Sequence, residues 1–189
     1  MKRIAIFASG NGTNAENIVR HFLTSTTIST SLVLCNKPLA GVIGRMDALG
    51  VKTTLFSRQD FADENKMLTL LRDHSIDFIV LAGFLWIIPS YLLQAYPDRI
   101  INIHPALLPK YGGKGMYGAK VHELVVQAHE KESGITIHYI NDKYDEGSII
   151  FQAKCSLNSS DTAEQVATKV HQLEYNYYPQ IIEQVVSAL

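Results

Sequence analysis

Short, continuous apolar runs alternate along the chain with segments whose apolar residues recur every three or four positions. The first run, Ile4 to Ala8, is closed by Ser9-Gly10-Asn11-Gly12 and predicts a buried strand followed by a tight turn. Thr13 and Glu16 then have capping-box spacing, and Ala15, Ile18, Val19, Phe22 and Leu23 share one helical face. The alternation repeats: strands are predicted over Leu32 to Cys35, Val51 to Phe56, Phe78 to Ala82 and Ile100 to Ile103. Between them lie helical patterns over Val42 to Leu49, about Phe61 to His74, and Pro89 to Tyr96. Apolar strands separated by helices predict an α/β architecture, a mostly parallel sheet with helices on both faces.

The texture changes after Pro109. Lys110-Tyr111-Gly112-Gly113-Lys114-Gly115 is a glycine-rich loop, and Ala119 to His129 reads as a helix. Two strands follow with no helix between them, Ile135 to Ile140 and Ile149 to Ala153, joined by the turn-rich segment Asn141 to Gly147. So short a link cannot make a parallel crossover, which predicts an antiparallel C-terminal strand pair. Asp161 and Glu164 open a last helix, expected to break or kink at Pro179 before Ile181 to Leu189.

Composition narrows the function classes. At 189 residues the chain is expected to form one domain over residues 1–189, with no repeat or linker. A net charge of −1 provides no field to gather nucleic acid or an acidic membrane, so small molecules are the expected partners, for a monomer or a homodimer. Cys35 and Cys155 stand alone, and no histidine has ligand spacing, so neither a disulfide framework nor a metal is expected. The N-terminal apolar run is too short for a signal segment, and the expected location is cytoplasmic.

Gly10-Asn11-Gly12-Thr13-Asn14-Ala15 satisfies the dinucleotide fingerprint G-x-G-x-x-G/A between a strand and a helix, as in Rossmann-like domains. The acid that would hold a dinucleotide's ribose is missing, because the second strand ends Cys35-Asn36-Lys37-Pro38. What remains is a site for one phosphate, made by free backbone N–H groups at a helix start and aided by the Ser9 and Thr13 hydroxyls. The alternative is a tight turn with no ligand.

Asn102 and His104 are two apart at a strand end, so their side chains leave on one side, and Pro105 keeps His104 extended. Ligands of open α/β sheets sit at this carboxyl rim, where an amide beside an imidazolium would make an oxyanion site. A histidine that merely caps the strand is the competing reading. A carboxylate near His104 would favour its charged form; Asp145 is the candidate, with Asp142 and Glu146 as rivals.

With these residues in view, the chain resembles the phosphoribosylglycinamide formyltransferase family. Ser9-Gly10-Asn11-Gly12-Thr13-Asn14, Leu81-Ala82-Gly83-Phe84, Asn102-Ile103-His104-Pro105-Ala106-Leu107-Leu108-Pro109 and Tyr144-Asp145-Glu146-Gly147 match the family's motifs in order over nearly the whole chain. The resemblance implies formyl transfer from 10-formyltetrahydrofolate, a cosubstrate, to the amine of glycinamide ribonucleotide in purine synthesis. It assigns Asn102, His104 and Asp145 to catalysis, and Gly12, Thr13, Asn14, Pro105 and Glu174 to the ribonucleotide. The folate would lie among Leu85, Trp86, Ile87, Ile88, Ile140, Asn141 and Tyr144.

Trp86 stands where many members have Arg, so stacking or apolar packing would replace a guanidinium contact. The Gly112 to Tyr117 loop differs from the family pattern, which leaves the role of His122 open, and Arg58 is not assigned to folate. Two other functions compete. Formyltetrahydrofolate deformylase hydrolyses the same donor but usually carries an added N-terminal domain. A non-enzymatic nucleotide-binding module would use only the glycine loop and give Asn102, His104 and Asp145 no role.

Overall fold

The strand that the pattern marks first, β1 (Lys2–Ala8), lies in the interior of the sheet, with Ile4 through Ala8 fully enclosed. The computed structural model describes residues 1–189. After β1 come α1 (Thr13–Phe22), β2 (Ile28–Cys35), α2 (Gly41–Ala48), β3 (Thr53–Leu55), α3 (Arg58–Ala62) and α4 (Glu64–Asp73). The chain continues through β4 (Phe78–Leu81), α5 (Ser90–Ala95), β5 (Ile100–His104), α6 (Ala119–Gln127), β6 (Glu132–Tyr139), β7 (Ile149–Ser156) and α7 (Ala163–Ser187).

The seven strands form one sheet in the order β3-β2-β1-β4-β5-β6-β7. Pairing is parallel from β3 to β5, and both β5–β6 and β6–β7 are antiparallel. Alternation along β1 divides the core: Ile4, Ile6 and Ala8 pack with α1, α2 and α7, while Ala5 and Phe7 pack with α3, α4 and α5. Strand order reverses between β1 and β4, so a crevice opens beyond their carboxyl ends. The buried Tyr178 of α7 donates its hydroxyl to the Leu81 carbonyl at 2.9 Å, fixing the helix beneath that rim. No helix is long and apolar enough to cross a membrane.

Four local expectations are corrected. The helical pattern from Phe61 to His74 is two helices, because Asp63 is extended and its side chain caps α4 through Lys66 N–H at 3.0 Å. Thr13 is not a cap: Gly12 holds that place at φ 80°, and Glu16 pairs with Arg20 and Arg45 instead. Thr162 and Gln165, rather than Asp161 and Glu164, form the capping box of α7. Finally, α7 continues through Pro179 without a break. A proline removes the N–H that would bond the carbonyl four residues back. Here that carbonyl, on Tyr175, accepts from Asn17 Nδ2 at 2.8 Å, so the orphaned acceptor is satisfied from α1.

Candidate active site

One open cavity of about 760 Å³ occupies the crevice. Every residue singled out from the sequence for catalysis, ribonucleotide or folate lines it: Asn102, His104 and Asp145; Gly12, Thr13, Asn14, Pro105 and Glu174; and Leu85 to Ile88 with Ile140, Asn141 and Tyr144. Segments more than 160 positions apart thus meet because β1, β4 and β5 end side by side and α7 returns across them.

At one end of the cavity is the glycine loop. The first N–H claimed by α1 is that of Glu16, bonded to the Gly12 carbonyl at 2.9 Å, which leaves the N–H groups of Gly12, Thr13 and Asn14 without backbone partners. That is the donor set an oxyanion of phosphate needs. Ser9 does not line the cavity, contrary to the expectation that its hydroxyl would aid the loop. It is buried, and its hydroxyl accepts from Leu85 N–H at 3.1 Å, tying the loop to the segment after β4. Gly12 is also a packing position, since a Cβ there would come within 2.4 Å of Val42 Cβ.

At the centre are the two side chains of β5. His104 is 3% exposed. Its Nε2 lies 2.8 Å from the Tyr111 carbonyl and its Nδ1 3.5 Å from Asp145 Oδ2. Both nitrogens therefore face acceptor oxygens, an arrangement fully satisfied only by the imidazolium. Burial nevertheless dominates and lowers the His104 pKa below 6.5, against the smaller raising effects of Asp145 and the Tyr111 carbonyl. The expectation that a neighbouring carboxylate keeps this histidine charged is thereby corrected: desolvation outweighs one partner at 3.5 Å.

Of the three acids in the β6–β7 loop, only Asp145 borders the cavity. It has φ 55°, and its Oδ2 accepts from Gly113 N–H at 2.8 Å. Glu146 instead turns out to Lys143 at 3.3 Å.

A residue that sequence reasoning passed over completes this centre. His138 of β6 is fully buried directly across from Asn102 in the ladder. Its Nδ1 lies 2.9 Å from the Tyr139 carbonyl and so carries the proton, leaving Nε2 to accept from Asn102 Nδ2 at 3.2 Å. One amide hydrogen of Asn102 is fixed in this way, and the other remains for the cavity. Below it, Thr136 Oγ1 donates to the Ala106 carbonyl at 2.7 Å and accepts from Leu108 N–H at 2.9 Å, holding the segment after His104 in place. A signal was present: in Ile135-Thr136-Ile137-His138 the polar residues alternate with apolar ones, putting Thr136 and His138 on one face.

The other end of the cavity is apolar. Trp86 joins an aromatic group with Phe56, Phe61 and Phe84, and the Arg58 guanidinium lies 4.3 Å above its ring. Leu85, Ile87 and Tyr144 are exposed around this end.

A parallel sheet with a phosphate-type loop at its switch point, joined to an amide, imidazole and carboxylate cluster, defines a group-transfer site on a Rossmann-like domain. The chain belongs to the formyl transferase family, whose model matches residues 2–182. It is 38% identical to the phosphoribosylglycinamide formyltransferase of Bacillus subtilis (strain 168), over 98% of this chain and 95% of that protein. It is 36% identical to the chloroplastic phosphoribosylglycinamide formyltransferase of Arabidopsis thaliana, over 96% of this chain but only 64% of that longer protein. Among solved structures, phosphoribosylglycinamide formyltransferase from Anaplasma phagocytophilum superposes with a TM-score of 0.88 at 30% identity, covering 99% of this chain and 88% of that one. The Streptococcus pneumoniae TIGR4 protein of the same name gives 0.85 at 34% identity, covering 98% and 99%.

Proposed function

We propose that this protein transfers a formyl group from 10-formyltetrahydrofolate to the amine of glycinamide ribonucleotide, a step of purine synthesis. The observation that carries the reading is the single cavity with an anion-binding loop at one end, an apolar aromatic end at the other, and the Asn102, His104 and Asp145 cluster between them. The ribonucleotide phosphate sits on the N–H groups of Gly12, Thr13 and Asn14. The folate ring system packs among Leu85, Trp86, Ile87, Ile88 and Ile140, with Asn141 and Tyr144 from the β6–β7 loop beside it.

The attacking amine must reach the formyl carbon uncharged, and its proton must go somewhere. Nδ1 of a neutral His104, beside the Asp145 carboxylate, is a basic position within the water-poor centre. As the new C–N bond forms, the proton passes to the His104–Asp145 pair, and the resulting imidazolium is held between Asp145 and the Tyr111 carbonyl. The free hydrogen of the Asn102 amide and the new imidazolium then stabilise the oxyanion. When the bond from the formyl carbon to folate nitrogen breaks, the proton is delivered to that nitrogen, and tetrahydrofolate leaves. The lowered pKa of His104 suits this cycle, because the resting ring is neutral and becomes charged only as negative charge develops.

Incubation with both substrates tests the reading. Formylated glycinamide ribonucleotide and tetrahydrofolate should appear in equal amounts, by mass spectrometry and absorbance. Release of formate and tetrahydrofolate at the same rate without the acceptor would assign the protein to donor hydrolysis instead.

A further inference from the structure

We propose that Tyr111 is a positioning residue for the catalytic pair: its hydroxyl, tied to Glu130, holds its carbonyl on His104 Nε2 and so keeps the unprotonated ring nitrogen, Nδ1, on the side of Asp145. The effect on rate rests on the formyl-transfer reading above, whereas the choice of tautomer rests on the geometry alone.

The anchor comes from the end of α6. His129 there has φ 51°, its N–H bonds the Val126 carbonyl at 3.0 Å, and the Glu130 N–H returns to the Val125 carbonyl at 3.2 Å. This is the closed helix end in which one left-handed residue lets the following N–H satisfy an orphaned carbonyl. Backbone bonds therefore set the place of Glu130. Its Oε1 accepts from the Tyr111 hydroxyl at 3.0 Å and from Lys110 Nζ at 2.8 Å. Lys110 and Tyr111 together hold the Glu130 carboxyl below the usual carboxylate range, so the bond from the Tyr111 hydroxyl is charge-assisted. The Lys110 side chain is largely exposed, and its ion pair adds little.

Tyr111 itself has left-handed backbone at φ 56°, uncommon for a residue with a Cβ. Its ring packs against the core on the α1, α2 and α7 side and its hydroxyl reaches Glu130, while its carbonyl meets His104 Nε2 at 2.8 Å. Such a conformation persists only where neighbouring contacts hold it, and the bond to Glu130 is the polar contact that the side chain supplies. Two residues on, the Gly113 N–H donates to Asp145 Oδ2 at 2.8 Å. One three-residue segment thus bonds both members of the catalytic pair.

Those two bonds decide where the neutral His104 ring carries its proton. A carbonyl can only accept, so the one at 2.8 Å draws the proton to Nε2. Asp145 would draw it to Nδ1, but its Oδ2 stands 3.5 Å away, beyond good hydrogen-bond distance, and already accepts from Gly113. The nearer acceptor prevails, and the lone pair is left on Nδ1. A proton arriving there is stabilised by the carboxylate it faces, which is what a base beside Asp145 requires. Once the Tyr111 carbonyl moves away, the balance reverses. The resting proton then goes to Nδ1, and the lone pair turns to Nε2, on the far side of the ring from Asp145.

Nitrogen-15 NMR of the histidine-labelled, ligand-free protein at about pH 7.5, where the lowered pKa leaves His104 neutral, reads the tautomer directly. His104→Gln identifies its signals among those of the seven histidines. The wild-type ring should show a protonated Nε2 and a bare Nδ1. Tyr111→Phe and Glu130→Ala should each bring in the Nδ1–H form to a similar extent. Each should also lower kcat for formyl transfer about tenfold with both KM values within about twofold, as misplacing a general base does. Glu130→Gln, which keeps an acceptor oxygen for the Tyr111 hydroxyl, should retain the wild-type tautomer and a kcat within about threefold. The double change, Tyr111→Phe with Glu130→Ala, should cost no more than either alone. A wild-type ring protonated at Nδ1, or a shifted tautomer with unaltered kcat, would overturn the role of Tyr111. So would a lowered kcat with an unmoved tautomer, which a merely structural loss produces. If glycinamide ribonucleotide is not formylated, a shifted tautomer still upholds the hold of Tyr111 on His104, and only the formyl-transfer reading falls. Formylation together with an unmoved tautomer in both single variants removes the role of Tyr111 and leaves that reading intact.

Discussion

Asn14 Nδ2 donates to Glu174 Oε2 at 2.8 Å, joining the first helix to the last across 160 positions of sequence. Glu174 is only 5% exposed, and burial pushes its pKa up to about 7 in spite of that hydrogen bond. Between the ordinary glutamate value of 4.5 and about 7, the folded state binds a proton that the unfolded state has released, so stability falls as pH rises through this window. The full effect is about 3 kcal/mol. Glu174→Gln should therefore stabilise the ligand-free protein at about pH 8 by up to that amount while weakening ribonucleotide binding, as urea titration and ligand titration would show. A less stable Glu174→Gln protein at that pH would contradict the assigned burial cost.

His122 acts with the opposite sign. Its pKa falls from 6.5 to about 4, so on acidification the unfolded state gains a proton that the folded state refuses, and stability is lost from about pH 6.5 downwards. The two groups offset each other between about pH 4.5 and 6.5, which predicts a flat wild-type profile from this pair. Removing the glutamate should expose the histidine: Glu174→Gln should lose stability steeply below about pH 6.5, and the added His122→Asn change should make that loss less steep, the buried His104 and His138, whose pKa values are also lowered, keeping the rest of it. Unfolding curves across pH distinguish these outcomes.

The glycine loop offers a contrast between neighbours. A side chain at Gly12 meets Val42 and must adopt φ 80°, so Gly12→Val should disrupt the α1–α2 packing and cost stability as well as ligand binding. Gly10 has nothing within 4 Å of an added Cβ and borders the cavity. Gly10→Val should fold normally, weaken ribonucleotide binding by at least about tenfold, and leave folate binding nearly unchanged. Equal losses for both ligands, measured separately, would remove the phosphate assignment.

Trp86 is the protein's sole tryptophan, which makes the apolar end observable. A saturating folate analogue should change its emission, and Trp86→Ala should weaken the analogue by about tenfold or more, as loss of a large aromatic contact does. Unaltered emission together with unaltered affinity would make Trp86 an ordinary wall residue. Arg58→Gln should shift the emission of the free protein, because it removes the cation 4.3 Å above the ring.

How far the sequence foretold this arrangement depends on whether the deciding contact is local. The apolar runs at Ile4 to Ala8 and Phe78 to Ala82 announce buried strands without help from the rest of the chain. Asn102 and His104 were legible as a pair because they are two apart on a strand, whereas the turn pattern left Asp142, Asp145 and Glu146 as equal candidates and only the family resemblance singled out Asp145. Pro179 misled, since the effect of a helix proline depends on whether another element satisfies the freed carbonyl, and Asn17 does so from 158 positions away. Ser9 misled for the same reason: its hydroxyl is claimed by Leu85 N–H across a parallel ladder. The net direction of the His104 pKa was equally hidden, because it compares a carboxylate at 3.5 Å with a burial that only the packed fold creates.

The central claim is that His104 and Asp145 act as one proton-handling unit beside Asn102. Its most direct test is a kinetic cycle of His104→Ala, Asp145→Asn and the double variant, measured across pH with binding of both substrates checked separately. Asp145 is the main influence that resists burial at His104, so Asp145→Asn should lower the His104 pKa further. Each single change should cost roughly 10²-fold or more in kcat, and the double variant should be little worse than the poorer single, because residues acting as a unit are not additive. Near-normal turnover in Asp145→Asn, or losses that multiply independently in the double variant, would contradict the claim.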